Sequence, residues 1–278
     1  MDKFNLTEDD LPYFRTLHSL AFRRLGIKKE NVMQRKHYAD IGRQTGLRVD
    51  YNDWDDEQTG LFTTNSDYLR IIQLAKLKDI TVEQQYNLKE HSQEVSVDTL
   101  KNLSSELESY KKAHGLIDFN DMISEFIKSD VSPKFDVVFI DEAQDLSRLQ
   151  WNMAKSIWNK TEDNYIAGDD DQAIFRWAGA DVDSFITQTG KILNLTQSYR
   201  VPGVVHDLAM GIVKRISKRL HKEWEPKSKS GLLSYYHEFK DIDMSSGKWF
   251  VLARTRHMLN ELENVLYSKG LYYQNKFK

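Results

Sequence analysis

Four short hydrophobic runs interrupt the polar sequence and predict β-strands. They are FDVVFID at 135–141, NYIAGD at 164–169, KILNL at 191–195 and KWFVLAR at 248–254. Their hydrophobic residues are consecutive rather than alternating, which is typical of strands covered on both faces, as in a parallel sheet. Stretches suited to helices lie between them, at 147–160 and 201–220. This alternation predicts an open α/β sheet.

The stretch from about 30 to 110 has a helical spacing of its hydrophobic residues instead. One predicted helix follows Asn65 and Ser66, both suitable N-caps, and the other lies within 96–112. The residues at helical spacing in the two are Tyr68, Ile71, Ile72 and Ala75, and then Leu100, Leu103, Leu107 and Tyr110. The pattern predicts a polar helical subdomain inserted beside the α/β part.

The composition is that of a folded protein, and the sequence contains no cysteine. The 278 residues are 40% hydrophobic and 12% aromatic, which is enough for a hydrophobic core. A net charge of -3 gives no global attraction to nucleic acid, so such a partner needs local patches. The absence of Cys excludes disulfides and thiolate metal sites and fits a reducing compartment. With no apolar run near the roughly 20 residues of a membrane helix and no signal-like N-terminus, we expect a cytoplasmic protein.

The first predicted strand ends in two adjacent acids, Asp141 and Glu142. Ligands of open α/β sheets bind beyond the carboxyl ends of the strands, so both carboxylates would reach such a site. Asp141 is a suitable Mg²⁺ ligand, and Glu142 is suitably placed to polarise a water molecule. The alternative is that both side chains face solvent where the chain leaves the sheet.

The stretch 166–180 combines three acids with two aromatic side chains. The adjacent carboxylates of residues 169–171 repel one another unless solvent, a cation or hydrogen-bond donors neutralise them. Gln172 offers a donor and an acceptor, which suits the sensing of a phosphate oxygen. In an extended segment Phe175 and Trp177 would share a face and stack on bases. The alternative is an acidic turn followed by two core aromatics.

A third group, Tyr199, Arg200 and Pro202, follows the predicted strand 191–195. An arginine at such a junction can stabilise the charge that develops on a transferred phosphoryl group. Tyr199 has a ring that can stack on a purine, and Pro202 is suited to open a helix. Taken alone, Arg200 is equally well explained as a salt-bridge partner.

Together, VVFIDEAQD, GDDDQAIFRWAGA and LNLTQSYR resemble motifs II, III and IV of superfamily I DNA helicases of the UvrD/Rep type. RTLHSLAFRRLG resembles motif Ib, GLIDFNDMI the segment before motif II, and the stretch 250–273 the strand and helix after motif IV. The resemblance implies a RecA-like P-loop NTPase motor core with a parallel sheet, an inserted helical subdomain and the start of a second RecA-like domain. The implied boundaries are 1–30 and 111–196 for the first motor domain, 31–110 for the subdomain and 197–278 for the second motor domain.

The resemblance implies a role for several residues in the hydrolysis of ATP with Mg²⁺. Asp141 would coordinate the metal ion, and Glu142 would activate the hydrolytic water. Gln172 and Arg200 would contact the γ-phosphate, while Tyr199 would pack on the adenine.

The resemblance also implies contacts with single-stranded DNA and duplex junctions, with unwinding from 3′ to 5′. Thr16 and His18 would contact the DNA backbone, and Phe175 and Trp177 would stack on bases. Ala178 departs from the family pattern, because many relatives carry Arg there, so one charged contact is expected to be missing.

A larger departure is the phosphate-binding loop, which would read G-x-x-x-x-G-K-[ST]. Two Gly-Lys pairs occur, at 189–193 and 246–250, but Ile192 and Trp249 follow where a hydroxyl is required. Motifs V and VI are also absent. We therefore expect a middle section of a helicase that binds ATP poorly and does not unwind DNA alone. Activity would need the loop on a longer chain or on a companion polypeptide.

Two other functions are compatible with parts of the sequence. One is a non-catalytic, helicase-like DNA-binding or regulatory module, against which the retained Glu142, Gln172 and Arg200 argue. The other is a two-metal nuclease, which would leave Gln172, Trp177 and Arg200 unexplained. Its ligands would be Asp141, Glu142, Asp169 and Asp171. The basic segment 213–229 is either a DNA-backbone track or a solvated helix face.

Overall fold

The computed structural model describes residues 7, 10–49, 64, 66–91 and 94–275 and divides the chain into two compact units. The first unit comprises Met1–Ile192 and Ile216–His221, and the second comprises Leu193–Arg215 and Lys222–Lys278. In the described ranges, no helix has both the length and the hydrophobicity that a membrane crossing requires.

The described part of the first unit is mainly helical. Its α-helices are α1 (Leu17–Arg24), α2 (Arg35–Thr45), α3 (Asp67–Leu77), α4 (Val82–Asn87), α5 (Val97–His114), α6 (Phe119–Ser129), α7 (Arg148–Trp158) and α8 (Val182–Ile186). Most begin after a Ser, Thr or Asp whose side chain accepts a hydrogen bond from a backbone N–H of the first turn, as expected of N-caps. These caps are Thr16, Ser66, Thr81, Ser96, Asp118, Ser147 and Asp181.

The predicted helical spacing between 30 and 110 is confirmed in α3 and α5. Ser66 is the N-cap of α3, and Asn65 lies outside the described residues. The hydrophobic residues predicted at helical spacing are buried in one core with α2, except Ala75, which is buried elsewhere, and Tyr68, which is partly buried against that core. A second core forms where α1, α6 and α7 pack together around Phe126 and Met153.

Two of the four predicted strands form a small parallel sheet. Strand β1 (Val137–Ile140) pairs with β2 (Asp163–Ile166) in a register that places Phe139 opposite Tyr165. Helix α7 provides the crossover between them. The mixed helix and strand architecture with a parallel sheet is thereby confirmed.

The expectation that β1 is covered on both faces is wrong for the described residues. Val138 packs against the core of α1, α6 and α7, so the side chains of its two neighbours, Val137 and Phe139, point to the opposite face of the strand. Phe139 is 75% exposed there and stacks on Tyr165 with ring centroids 4.8 Å apart. The consecutive hydrophobic residues of β1 therefore give the strand one face that packs on the core and one exposed face that carries Phe139.

The other two predicted strands, 191–195 and 248–254, are not formed. Both stretches lie in the second unit, except that residues 191 and 192 belong to the first. Their side chains are largely exposed, with Leu195 at 94%. A strand exists only when a neighbour accepts and donates its backbone hydrogen bonds, and neither stretch has such a neighbour among the described residues.

The described part of the second unit contains α9 (Gly203–Val213) and α10 (Leu259–Ser268). Pro202 is the N-cap of α9, which confirms that it opens a helix. The helix predicted over 201–220 ends earlier than expected, at Val213. The residues that follow, Ile216–His221, belong to the first unit, where their side chains and backbone form hydrogen bonds with other residues of that unit.

Candidate nucleotide and DNA site

The end of β1 turns sharply at Glu142, whose backbone is left-handed with φ 51° and ψ 38°. This conformation is uncommon for a residue with a side chain, and such residues concentrate at functional sites. The turn brings the N–H of Ala143 within 3.0 Å of the carbonyl oxygen of Ala167. The side chains of Asp141 and Glu142 are both exposed beyond the strand. Both carboxylates lie at the carboxyl end of β1, as both sequence interpretations expected, and their roles toward Mg²⁺ and water stay predictions.

Gln144 connects the ends of the two strands. It is buried, its Nε2 donates to Oε2 of Glu142 over 2.7 Å, and its Oε1 accepts from the N–H of Asp169 over 3.0 Å. A carboxylate only accepts and a backbone N–H only donates, so the two partners fix the orientation of the amide. No role was predicted for Gln144, although an uncharged amide beside the acids that end a strand indicates a hydrogen-bonding partner for them.

The acidic turn, residues 169–172, follows β2. Asp169 caps a short 3-10 helix (Asp170–Gln172) and accepts hydrogen bonds from the N–H of Asp171 over 3.2 Å and from Nε2 of Gln172 over 2.6 Å. Donors within the turn thus reduce the repulsion at Asp169, the first of the three acids. Through Gln144, this turn and the carboxylate of Glu142 share one hydrogen-bonded network.

The aromatic residues after the turn are not arranged as predicted. Residues Arg176–Ala178 form a 3-10 helix that begins after Phe175, so Phe175 and Trp177 do not share a face. Phe175 is half-buried, whereas Trp177 is 63% exposed. Ala178 is buried, so its side chain is not presented to a ligand in this conformation. The extended geometry is wrong, and Trp177 is the better placed of the two to stack on a base.

The residues predicted to contact the DNA backbone lie at the start of α1. The hydroxyl of Thr16 accepts from the N–H of Ser19 over 3.2 Å and so caps the helix. His18 is buried, with its ring edge-on to Phe119 at a centroid distance of 5.7 Å. Contact of Thr16 and His18 with DNA stays a prediction, and only Thr16 is exposed here.

Tyr199 and Arg200 belong to the second unit, and both are exposed. The hydroxyl of Ser198 accepts from the N–H of Arg200 over 3.3 Å and from that of Val201 over 3.1 Å. This turn fixes the backbone of Arg200 while its guanidinium projects outward. Their contacts with adenine and γ-phosphate stay predictions.

Two structures were predicted for the basic segment 213–229, a DNA-backbone track and a solvated helix face. Neither describes the whole segment. Arg219 donates to both carboxylate oxygens of Asp171, and Lys218 pairs with Asp183 over 2.8 Å. These two cations are therefore already engaged within the first unit rather than lining a free DNA track.

The donor set at Asp141 and Glu142 fits a Mg²⁺ ion that is shared with phosphate oxygens. Mg²⁺ is usually held by one or two carboxylates together with substrate phosphates and water. In the described ranges, no group of three or more His, Asp or Glu side chains is arranged to hold a metal ion. Asp171, one of the four acids of the two-metal nuclease hypothesis, is already paired with Arg219, which argues against its use as a metal ligand.

A partly buried ion cluster, which was not predicted, joins α3, α5 and α6. Lys76 lies 3.0 Å from Asp118, 2.6 Å from Asp121 and 2.9 Å from Glu108. Lys111 lies 3.0 Å from Asp118 and 2.8 Å from Glu108, and it also pairs with Asp121. Asp118, the N-cap of α6, and Asp121 in its first turn both come from the stretch GLIDFNDMI, so this segment ties α6 to α3 and α5.

The cluster shifts the pKa values of its two aspartates in opposite directions. Burial alone would raise the pKa of Asp118, but the charges of Lys76 and Lys111 outweigh it and hold that pKa well below its ordinary value. Burial and the neighbouring negative charge of Asp118 raise the pKa of Asp121. Asp118 is thus the acid whose ionised form the folded protein stabilises.

Comparison with known proteins points to helicases. The sequence model of the UvrD/REP helicase N-terminal domain matches residues 5–192. The ATP-dependent DNA helicase PcrA of Bacillus subtilis is 28% identical over 189 residues, which cover 56% of this chain and 26% of that protein. DNA helicase II of Haemophilus influenzae is 27% identical over 143 residues, covering 46% and 20% respectively. This chain thus matches about a quarter or less of the length of these relatives.

Proposed function

Because the chain belongs to the UvrD/Rep helicase family, we propose that it forms part of the motor of an ATP-dependent DNA helicase. The motor couples hydrolysis of ATP to movement along single-stranded DNA and to opening of duplex junctions, from 3′ to 5′. Relatives named as ATP-dependent DNA helicases support this proposal. The observation that carries it is the Gln144 link between Glu142 and the turn of Gln172.

In the proposed mechanism Glu142 is the base that orients the attacking water. Its Oε2 is held by Gln144, which keeps the other oxygen available for the water molecule. Asp141 would hold Mg²⁺, which neutralises charge on the phosphate oxygens when it is bound. Gln172 senses the γ-phosphate, and Arg200 stabilises the charge that develops on it.

DNA contact is assigned to the segment that follows the acidic turn. Trp177 offers an exposed ring, and base stacking on aromatic rings is tolerant of sequence. Phe175, half-buried beside it, supports the segment, and Thr16 and His18 are proposed to contact the backbone. A change at the γ-phosphate reaches Trp177 along the short chain from Gln172.

We further propose that these residues turn over ATP only together with a phosphate-binding loop, carried by a longer chain or by a companion polypeptide. Asp141 and Glu142 present negative charge to a triphosphate. A loop of backbone N–H groups and a lysine would supply the opposing charge.

The test is ATP hydrolysis stimulated by oligo(dT), measured for this chain alone and mixed with a polypeptide that carries the G-x-x-x-x-G-K-[ST] loop. Turnover is expected only in the mixture. Glu142→Gln should lower it by about 100-fold or more, because it removes a general base. Turnover by the chain alone that Glu142→Gln abolishes would contradict the need for a companion. Absence of turnover in the mixture, with DNA binding intact, would instead favour the non-catalytic module.

A further inference from the structure

The acidic turn is a short element that carries three adjacent carboxylates. Its 3-10 helix is three residues long, and Gln172 is fixed within it by an N–H bond to the carbonyl of Asp169 over 2.9 Å and by its side-chain bond to the same residue. Adjacent carboxylates repel one another, so the turn needs donors from elsewhere in the chain.

Those donors come from a strap, defined as Ile216–His221, which is distant in sequence. Nε and a terminal nitrogen of Arg219 each donate to one oxygen of Asp171 over 2.7 Å, and the N–H of Leu220 donates to Oδ2 of Asp170 over 2.7 Å. A bidentate Arg–carboxylate pair is stronger and more directional than a single ionic contact. The strap therefore fixes both the position and the direction of the turn.

The pair is also sheltered from solvent. The side chain of Asp171 is 8% exposed and that of Arg219 is 15% exposed. The hydrogen bonds to Asp171 raise the pKa of Arg219 above its ordinary value, so its charge is permanent. By contrast, Lys218 and Asp183 in the neighbouring pair are about half exposed, and exposed pairs contribute little.

We propose that Arg219 is a positioning residue for the acidic turn, which carries Gln172 and leads to Trp177. The role of the turn in sensing phosphate and contacting DNA rests on the proposed function. The positioning of the turn by Arg219 does not. Arg219 acts through Asp171 and contacts neither nucleotide nor DNA. Lysine is a poor substitute because it cannot make the two parallel bonds.

The test compares Arg219→Ala with Lys218→Ala, which removes the same charge from the same strap. Each variant, labelled with 5-fluorotryptophan, is examined by ¹⁹F NMR without DNA, with the Trp177 resonance assigned from Trp177→Phe. We expect Arg219→Ala and Arg219→Lys to shift or broaden this resonance more than Lys218→Ala, whose partner Asp183 also pairs with Arg176 beside Trp177. Should Arg219→Ala fail to fold, Arg219→Lys keeps the charge and decides the question.

Binding of oligo(dT) across a range of salt concentrations supplies the second readout. If Arg219 only positions the turn, Arg219→Ala should weaken binding by about five- to tenfold, which is part of the effect of losing a stacked base. The dependence of binding on salt should not change. Loss of a phosphate contact would instead reduce the slope of log K against log salt by about one. A reduced slope with an unmoved Trp177 resonance would overturn the proposal, as would no change in either. If the wild-type chain does not bind oligo(dT), the proposed DNA contact fails, whereas the resonance still decides whether Arg219 positions the turn.

Discussion

Gln144 holds Glu142 by a 2.7 Å hydrogen bond from Nε2 to Oε2, and the donor is buried while the acceptor is exposed. The same amide accepts from the N–H of Asp169 over 3.0 Å. One uncharged side chain thus connects the carboxylate proposed as the base with the turn proposed to sense phosphate. Replacement of Gln144 should therefore affect both places at once.

Gln144→Leu should reduce the free energy of unfolding by about 1–3 kcal/mol, because it removes the buried amide that accepts from the partly buried N–H of Asp169. Urea denaturation followed by circular dichroism measures this change. Gln144→Glu keeps the size of the side chain but places a second carboxylate against Glu142. The loss in free energy of unfolding that it causes should therefore shrink as the pH falls toward about 4 and the carboxylates become protonated. A penalty of Gln144→Glu that does not depend on pH would contradict this geometry.

Gly168→Ala should disrupt the same link by steric means. An added Cβ would lie 2.6 Å from Oε1 of Gln144 and 3.0 Å from ring carbons of Phe185. Both neighbours are packed, so we expect a loss of about 1–3 kcal/mol, as for other overpacked sites. Gly211→Ala is the uncrowded control, since nothing lies within 4 Å of the added Cβ, and alanine within α9 should itself stabilise by up to about 1 kcal/mol. Equal stability of the two variants in urea would show that residue 168 has more room than the structure gives it.

Local patterns in the sequence were sufficient for elements that depend on local interactions. The spacing of Ile71 and Ile72 predicted α3, and the Ser cap marked its start, because both signals act within one helical turn. The hydrophobic runs at 135–141 and 164–169 predicted β1 and β2, and their consecutive hydrophobic residues predicted a parallel sheet. The run at 191–195 has the same character but forms no strand, since strands also require a partner that composition does not reveal.

The site itself depends on long-range partners that no local pattern shows. Gln144 reaches Asp169 across 25 residues, and Arg219 reaches Asp171 across 48. The sequence showed that the acids of the turn need neutralising, but it did not identify the donors. For the same reason, Lys76 and its carboxylate partners from two other helices went unnoticed.

The ion cluster of α3, α5 and α6 should make stability depend on pH through Asp118. Its pKa is lower in the folded protein than in the unfolded chain, so the unfolded chain binds more protons in acid. The stabilisation is present above about pH 4, the ordinary value, and is lost as the pH falls toward the folded pKa. Asp118→Asn should lower stability at pH 7 and flatten its decline in acid, as measured by urea midpoints between about pH 3 and pH 7.

Asp121→Asn is the control for this prediction because the sign of its pKa shift is opposite. The pKa of Asp121 is raised by burial and by the charge of Asp118, so its ionisation costs stability as the pH rises. Asp121→Asn should therefore cost less than Asp118→Asn at neutral pH and leave the acid decline in place. A larger loss from Asp121→Asn would mean that the roles of the two acids are reversed.

Trp177→Ala should weaken binding of single-stranded DNA without destabilising the fold. The side chain is 63% exposed, so its removal leaves no cavity, whereas a lost base stack costs about 1–3 kcal/mol, or roughly 5- to 150-fold in affinity. Fluorescence anisotropy of labelled oligo(dT) at fixed salt measures the change, and Trp177→Phe should keep most of the affinity. Phe139→Ala is the matched control, because Phe139 is also exposed but lies on the sheet outside the proposed DNA segment. If both alanine variants lose affinity equally, the proposed stacking on Trp177 is wrong.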